Sequence, residues 1–291
     1  MELTHIATRQ ARLSAILRED MGISTGLMNR LKWQDKLFVN GQSQRTNYPV
    51  QTGDVVSLPL DDPEAQYPAQ DGPLTVLYED EHLLAVDKPA GMLIHPSRSR
   101  LTDTLANYAL GYYQKTGQSC AFHPVTRLDR DTFGVVLLAK NAHIHALCNQ
   151  LLGDGKLQKT YRALVYGGPE ADCGIIDAPI ARLPLPSLLR TVSPEGKPSL
   201  TEFAVLERKE NCSLLELKAI TGRTHQLRVH CAHMGYPILG DPQYANKASG
   251  ALSQSLGLTT QMLWAYSLSF PHPITGKPIA ITSKFQVALE C

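Results

Sequence analysis

The chain has no apolar run near the roughly 18 residues that a membrane-spanning helix requires, and no apolar signal core at its start. Only six cysteines occur among 291 residues, at 120, 148, 173, 212, 231 and 291, with no close pair to suggest a disulfide framework or a zinc ribbon. Charge of one sign is also missing: 28 basic residues against 27 acidic ones leave a net charge of +1, which excludes a blanket polycation but allows a local basic groove. No glycine loop of the phosphate-cradling kind and no metal-ligand spacing is present. His225, His230 and His233, at spacings of five and three, share no helical face and have no acid among them, so structural hydrogen bonding is expected of them. These absences point to a protein of the cytoplasm that binds no membrane and no metal.

What is there is an ordinary apolar fraction of 43%, enough for one large domain and a small one. Residues 1–60 read as a separate module. Leu13, Ile16 and Leu17 have helical spacing, residues 27–31 suggest a second helix, and Leu37-Phe38-Val39 runs into the hairpin pair Asn40-Gly41. Residues 61–73, acidic and rich in proline, read as a linker. From 74 to 291, short strands and capped helices alternate without a βαβ rhythm, which implies an α+β domain on a mixed or antiparallel sheet. Asp103 and Asn141 are the expected helix caps, and Gly235 the stop of a short helix over 227–234.

The chemistry concentrates in Arg127-Leu128-Asp129-Arg130-Asp131-Thr132-Phe133-Gly134, which precedes the apolar run Val135 to Ala139. That run is too short and too branched for a helix and reads as a buried strand, so Asp129 belongs to a loop at the edge of a rigid element. A carboxylate with guanidinium neighbours stays ionised and suits a nucleophile or an electrostatic stabiliser. A surface ion-pair cluster is the bland alternative.

Three further segments accompany it in order: Asp87-Lys88-Pro89-Ala90-Gly91-Met92-Leu93-Ile94-His95-Pro96; Lys159-Thr160-Tyr161-Arg162-Ala163-Leu164-Val165-Tyr166-Gly167; and Thr221-Gly222-Arg223-Thr224-His225-Gln226-Leu227-Arg228-Val229-His230, continuing into Pro237-Ile238-Leu239-Gly240-Asp241. Together the four segments resemble the RluA-type pseudouridine synthases over residues 74 to the C-terminus. The resemblance implies a curved sheet with a central catalytic cleft and the isomerisation of uridine in structured RNA, without cofactor and as a monomer. It assigns Asp129 as the catalytic carboxylate, Arg223 as its cationic partner and Tyr161 as the ring that stacks on the flipped uracil. Arg127, Lys88, Arg228 and Leu239 become RNA or uridine contacts, Leu239 as an apolar floor. Large-subunit ribosomal RNA is the favoured substrate, with transfer RNA as the alternative. The first sixty residues are similar, more loosely, to the small RNA-binding domain named after a ribosomal small-subunit protein. The chain departs from the family pattern at Thr126, where a histidine is usual, and at Phe133, where a serine is usual. An inactive RNA-binding or assembly factor and a glycosidase using Asp129 with Asp131 are the competing readings.

Overall fold

Residues that alternate across a strand decide where the layers of this protein lie. The structure, a computed structural model, describes residues 2–60, 67–97, 100–184, 186–187 and 189–287. In the N-terminal module, Glu2–Ile6, Val55–Pro59, Phe38–Val39 and Gln42–Ser43 form a four-stranded sheet. Helical residues 13–20 and helix α1 (Thr25–Trp33) cover it, α1 being capped by the Ser24 side chain. Leu13, Ile16, Leu17, Val39, Val56 and Leu58 make its own core. Asn40 and Gly41 both take positive φ, 49° and 77°, as a tight hairpin between right-twisted strands requires.

The larger part is built on a ten-stranded sheet. Its strands are β1 (Thr75–Glu79), β2 (Leu83–Lys88), β3 (Phe133–Ala139), β4 (Gln158–Tyr166), β5 (Cys173–Asp177), β6 (Leu200–Arg208), β7 (Cys212–Ala219), β8 (Leu263–Pro271) and β9 (Pro278–Thr282), with the pair His123–Pro124 added beside β3. The order is β5-β6-β7-β4-β8-β3-β2-β1, with β9 against β8. All neighbours run antiparallel except β3 and β8, which meet in parallel through Phe133↔Trp264 and Gly134↔Ala265. Gly134, at φ 107°, is required there, because a Cβ would strike the Ala265 carbonyl. The fold is therefore α+β on a mixed sheet.

β2 and β3 are buried throughout because both faces of the sheet are covered. Leu84, Val86, Val136 and Leu138 meet helix α2 (Leu105–Lys115). Leu83, Ala85, Val135 and Leu137 meet helix α3 (Ala142–Gly153). On the other half, helix α4 (Gln226–His233) sets Leu227 and Cys231 against Ala163, Val165, Leu215 and Leu217. Helix α5 (Lys247–Ser255) follows it.

Two expectations change. Residues 61–66 of the expected linker lie outside the described residues, but 67–73 are not a free tether. The Gln70 backbone N–H donates to the Asn107 carbonyl (3.0 Å) and the Asn107 side chain to the Pro68 carbonyl (2.8 Å). Gly111 lets the strap lie directly on α2, since a Cβ there would overlap the Gln70 carbonyl. The cap of α2 is Thr104 rather than Asp103, whose left-handed backbone (φ 58°) and carboxylate are both taken up by Gln70. Asn141 caps α3 as expected. Among the described residues, Cys148, Cys173 and Cys231 are free thiols.

Candidate active site

Asp129 lies in the turn that feeds β3, at the one parallel seam of the sheet. The turn is tied down from both ends. The Thr132 N–H donates to the Asp129 carbonyl (3.2 Å), and the Thr126 hydroxyl, buried, accepts the Leu137 N–H (3.0 Å). Phe133 stacks on Trp264 at 5.6 Å, so the two departures from the family pattern serve packing.

Lys88 is not an RNA contact. Its side chain is 0% exposed, and its ammonium donates to the carbonyls of Pro89 (2.9 Å), Met92 (2.8 Å) and Arg130 (2.8 Å). An ammonium has three hydrogens, and three carbonyls use them all. Lys88 is thus the internal peg that holds the Asp129 turn by its Arg130 carbonyl. Burial pushes its pKa down to about 8, against the pull of Asp131 and Asp129.

The charge partner of Asp129 is a further correction. Neither flanking arginine pairs with it: Arg130 forks onto Asp131 (3.0 and 2.9 Å), and Arg127 is exposed at the cleft rim. Arg223 also fails to reach it, since its Nε donates to the Pro198 carbonyl (3.2 Å). Arg228 does reach it, with Nη1 3.3 Å from Asp129 Oδ2. The cause is the phase of α4. Gln226 accepts from the Arg223 N–H (3.0 Å) and the Thr221 hydroxyl (2.7 Å), and donates to Leu200 and Thr201. This clamp starts the helix at 226, leaves Arg223 outside it and turns Arg228 inward. Arg228 is 5% exposed and forks onto buried Asp241, Nε to Oδ2 at 2.6 Å and Nη2 to Oδ1 at 2.8 Å, with Nη2 also donating to Gln243 (2.7 Å). Burial works to lower its pKa, but the Asp241 hydrogen bonds and the charges of Asp241 and Asp129 raise it. The guanidinium is therefore a fixed cation. The signal available in the sequence was Asp241 in an otherwise apolar segment, since a buried acid requires a buried cation.

Tyr161 is half-buried in the wall of the same cleft. The β4–β8 register slips between Thr160 and Tyr161, leaving Tyr266 as the extra residue, and such a bulge re-aims the neighbouring side chain. Burial and the charge of Asp129 push its pKa up to about 12, so it remains a neutral phenol. Leu239 is not the cleft floor. It packs with Leu164 and Cys212 in a separate cluster, its backbone joined to Leu164 (2.9 Å) and Met262 (2.8 Å). Leu263, on β8, is one of the apolar residues that do line the cleft, with Val125, Leu128 and Leu227.

Two residues that sequence reasoning did not place here complete the surroundings. His225 takes φ 57° just before α4. Its Nε2 is 3.8 Å from Asp129 Oδ2, and its Nδ1 is 2.8 Å from the Tyr244 hydroxyl. His230, by contrast, is a satisfied core histidine on Thr201 and the Ala178 carbonyl, as expected. The cleft has a volume of about 540 Å³. Among the described residues no group of three or more histidines, cysteines or acids is placed to hold a metal ion, and no helix is long and apolar enough to cross a membrane.

Comparison with known proteins adds four findings to this geometry. Residues 82–233 match the family model described as RNA pseudouridylate synthase. The chain is 36% identical over 259 residues to the uncharacterized RNA pseudouridine synthase YjbO of Bacillus subtilis (strain 168), covering 88% of this chain and 89% of that one. It is 40% identical over 233 residues to ribosomal large subunit pseudouridine synthase D of Zymomonas mobilis, covering 77% and 73%. Its fold is similar to that of human RNA pseudouridylate synthase domain containing 1, with a TM-score of 0.60, 22% identity, and coverage of 77% and 94%.

Proposed function

Because the chain belongs to the RNA pseudouridylate synthase family, within its RluA type, we propose that it isomerises uridine in large-subunit ribosomal RNA with Asp129 as the reacting carboxylate. The observation that carries the assignment of roles is the contact between Arg228 and Asp129 across the cleft wall that holds Tyr161. An ionised carboxylate beside a fixed guanidinium is a nucleophile or a stabiliser of positive charge, and a poor acid. The N1–C1′ bond breaks, C1′ is rejoined through C5, the C5 hydrogen leaves as a proton and N1 gains one. Asp129 accompanies C1′ or the base through that exchange, and Tyr161 stacks on the extruded ring. Such stacking contributes about 1–3 kcal/mol per base toward the few kcal/mol of unstacking. Arg127, exposed at the rim, is positioned for phosphate or for the gap that the base leaves.

The ribosomal assignment rests on the named Zymomonas relative and on the N-terminal module. Trp33, at the end of α1, is 83% exposed, with the Lys32 ammonium 5.7 Å from its ring. Residues 25–45 carry four basic side chains, Arg30, Lys32, Lys36 and Arg45, against one acid, Asp35. An uncovered indole in a basic field suits single-stranded RNA. A glycosidase is disfavoured, because Asp131 is engaged by Arg130 instead of facing Asp129 across a sugar site.

The test uses a full-length large-subunit ribosomal RNA transcript tritiated at uridine C5, with transfer RNA transcripts in parallel. Tritium release by the wild type and none by Asp129→Asn is expected. Undiminished release by that variant overturns the role of Asp129, and release from transfer RNA alone overturns the substrate.

A further inference from the structure

The surroundings of Asp129 are asymmetric. Both groups that approach the carboxylate, Arg228 Nη1 at 3.3 Å and His225 Nε2 at 3.8 Å, approach Oδ2. No donor among the described residues reaches Oδ1. Which hydrogen His225 presents to Oδ2 depends on its other nitrogen, and that nitrogen has a partner.

The Tyr244 hydroxyl accepts the backbone N–H of Arg190 (2.9 Å) and lies 2.8 Å from His225 Nδ1. A phenol has one hydrogen. With its oxygen already receiving the Arg190 N–H, the hydroxyl satisfies both contacts best by donating to Nδ1. A neutral imidazole that accepts at Nδ1 carries its hydrogen at Nε2, aimed at Asp129. The backbone supports a dedicated placement: His225 holds a left-handed conformation that most side chains avoid, and its side chain is 15% exposed.

We propose that Tyr244 and His225 are a positioning pair for the reaction: the Tyr244 hydroxyl fixes His225 as the Nε2–H tautomer, and this N–H joins Arg228 in holding Oδ2 of Asp129, so that Oδ1 is turned to the substrate. The proposal rests on the reading of Asp129 as the reacting carboxylate. The apo separation of 3.8 Å closes to a hydrogen bond once substrate excludes water, as catalytic contacts do. The charged and titratable groups facing His225 are Asp129, Arg228, Arg190, Asp241 and Tyr244. Burial lowers its pKa, with Arg228 and Arg190 acting in the same direction and Asp129 and Asp241 opposing, which keeps the ring neutral. Burial likewise raises the pKa of Tyr244, which keeps its hydrogen.

The tautomer is read directly from long-range proton–nitrogen correlations of the full chain labelled with ¹⁵N-histidine at pH 7.5, with His225→Asn assigning the signal. A protonated Nε2 and a bare Nδ1 are expected; a protonated Nδ1, or an averaged ring, overturns the proposal without bearing on Asp129. Asparagine is among the residues that accept the left-handed backbone, so the variant removes the imidazole and leaves the turn. In single turnover on the ribosomal transcript, Tyr244→Phe is expected to lower the maximal rate about tenfold, because the Nε2–H contact to the Asp129 carboxylate, a hydrogen bond to a charged group, is no longer enforced, with half-saturation changed less than about twofold. Its acid limb moves to higher pH, because Nδ1 becomes free to take a proton. The double variant should be no slower than His225→Asn alone, since the two residues act in series. Multiplying effects, or a Tyr244→Phe enzyme of full rate with an unmoved acid limb, overturn the pairing. Activity retained in Asp129→Asn would remove the catalytic reading and leave the tautomer to be judged by the spectrum.

Discussion

Raising the pH from 7 to 9 should stabilise the fold through Lys88 and slow the enzyme at the same time. The buried ammonium has a pKa of about 8 against an ordinary 10.5. Between those values the unfolded chain binds more protons than the folded one, so stability rises with pH there. The full difference is about 3 kcal/mol, of which about 1.4 kcal/mol is recovered between pH 7 and 9. Chemistry runs the other way. The neutral amine has two hydrogens for three carbonyls, and the Arg130 carbonyl anchors the turn of Asp129. A misplacement on the order of 1 Å there costs up to ~100-fold in rate. Urea unfolding of wild type and Lys88→Met at both pH values isolates this group from thiols and phenols that titrate nearby. The stability of the wild type minus that of the variant should rise by about 1.4 kcal/mol from pH 7 to 9. The wild-type single-turnover rate should fall with a midpoint near 8, a limb absent from the uniformly slow variant. A pH-independent stability difference together with a flat wild-type rate would refute the reasoning.

Other perturbations probe separate parts of the molecule. Asp241→Asn leaves the buried Arg228 without its charged fork; breaking such a pair costs about 3–5 kcal/mol, and urea unfolding should register it together with a lower single-turnover rate. His143 is 4% exposed, and burial pushes its pKa down to about 4. It is neutral in the fold and protonated in the unfolded chain between pH 6.5 and 4, so roughly 3 kcal/mol of stability is lost as pH falls through that window; the wild type should lose this in acid unfolding and His143→Leu should not. Trp33 and Trp264 are the two tryptophans of the chain, and Trp264 is 2% exposed. Addition of the ribosomal transcript should therefore quench Trp33 alone, and Trp33→Ala should weaken RNA binding about tenfold; an unquenched signal in the bound complex removes the second RNA contact.

Much of this architecture is legible in local pattern. The branched run after Gly134, the cap at Asn141 and the Asn40-Gly41 hairpin each depend on residues close in the chain. What was misread depends on residues far apart. Arg223 and Arg228 are equivalent as letters in a motif, and only the clamp between Gln226 and β6 decides which one turns inward. A lysine reads as a surface charge until three carbonyls from two loops close around it, and Leu239 reads as a pocket wall until α5 is packed against its cluster. The ion-pair cluster that is the alternative reading of this turn does exist, between Arg130 and Asp131, one residue beyond the Asp129 carboxylate.

The parallel join between β3 and β8 has a consequence for how the protein matures. Its two paired positions are the shortest register along the path from β5 to β1, and they bring together residues more than a hundred positions apart in the chain. Asp129 comes from one side of that join, while Tyr161, His225 and Arg228 come from the other. Neither half carries a working centre by itself. A nascent chain that has made everything up to α4 holds all four side chains but still lacks the strand that unites them, so the cleft closes around Asp129 only after β8 has been synthesised and docked.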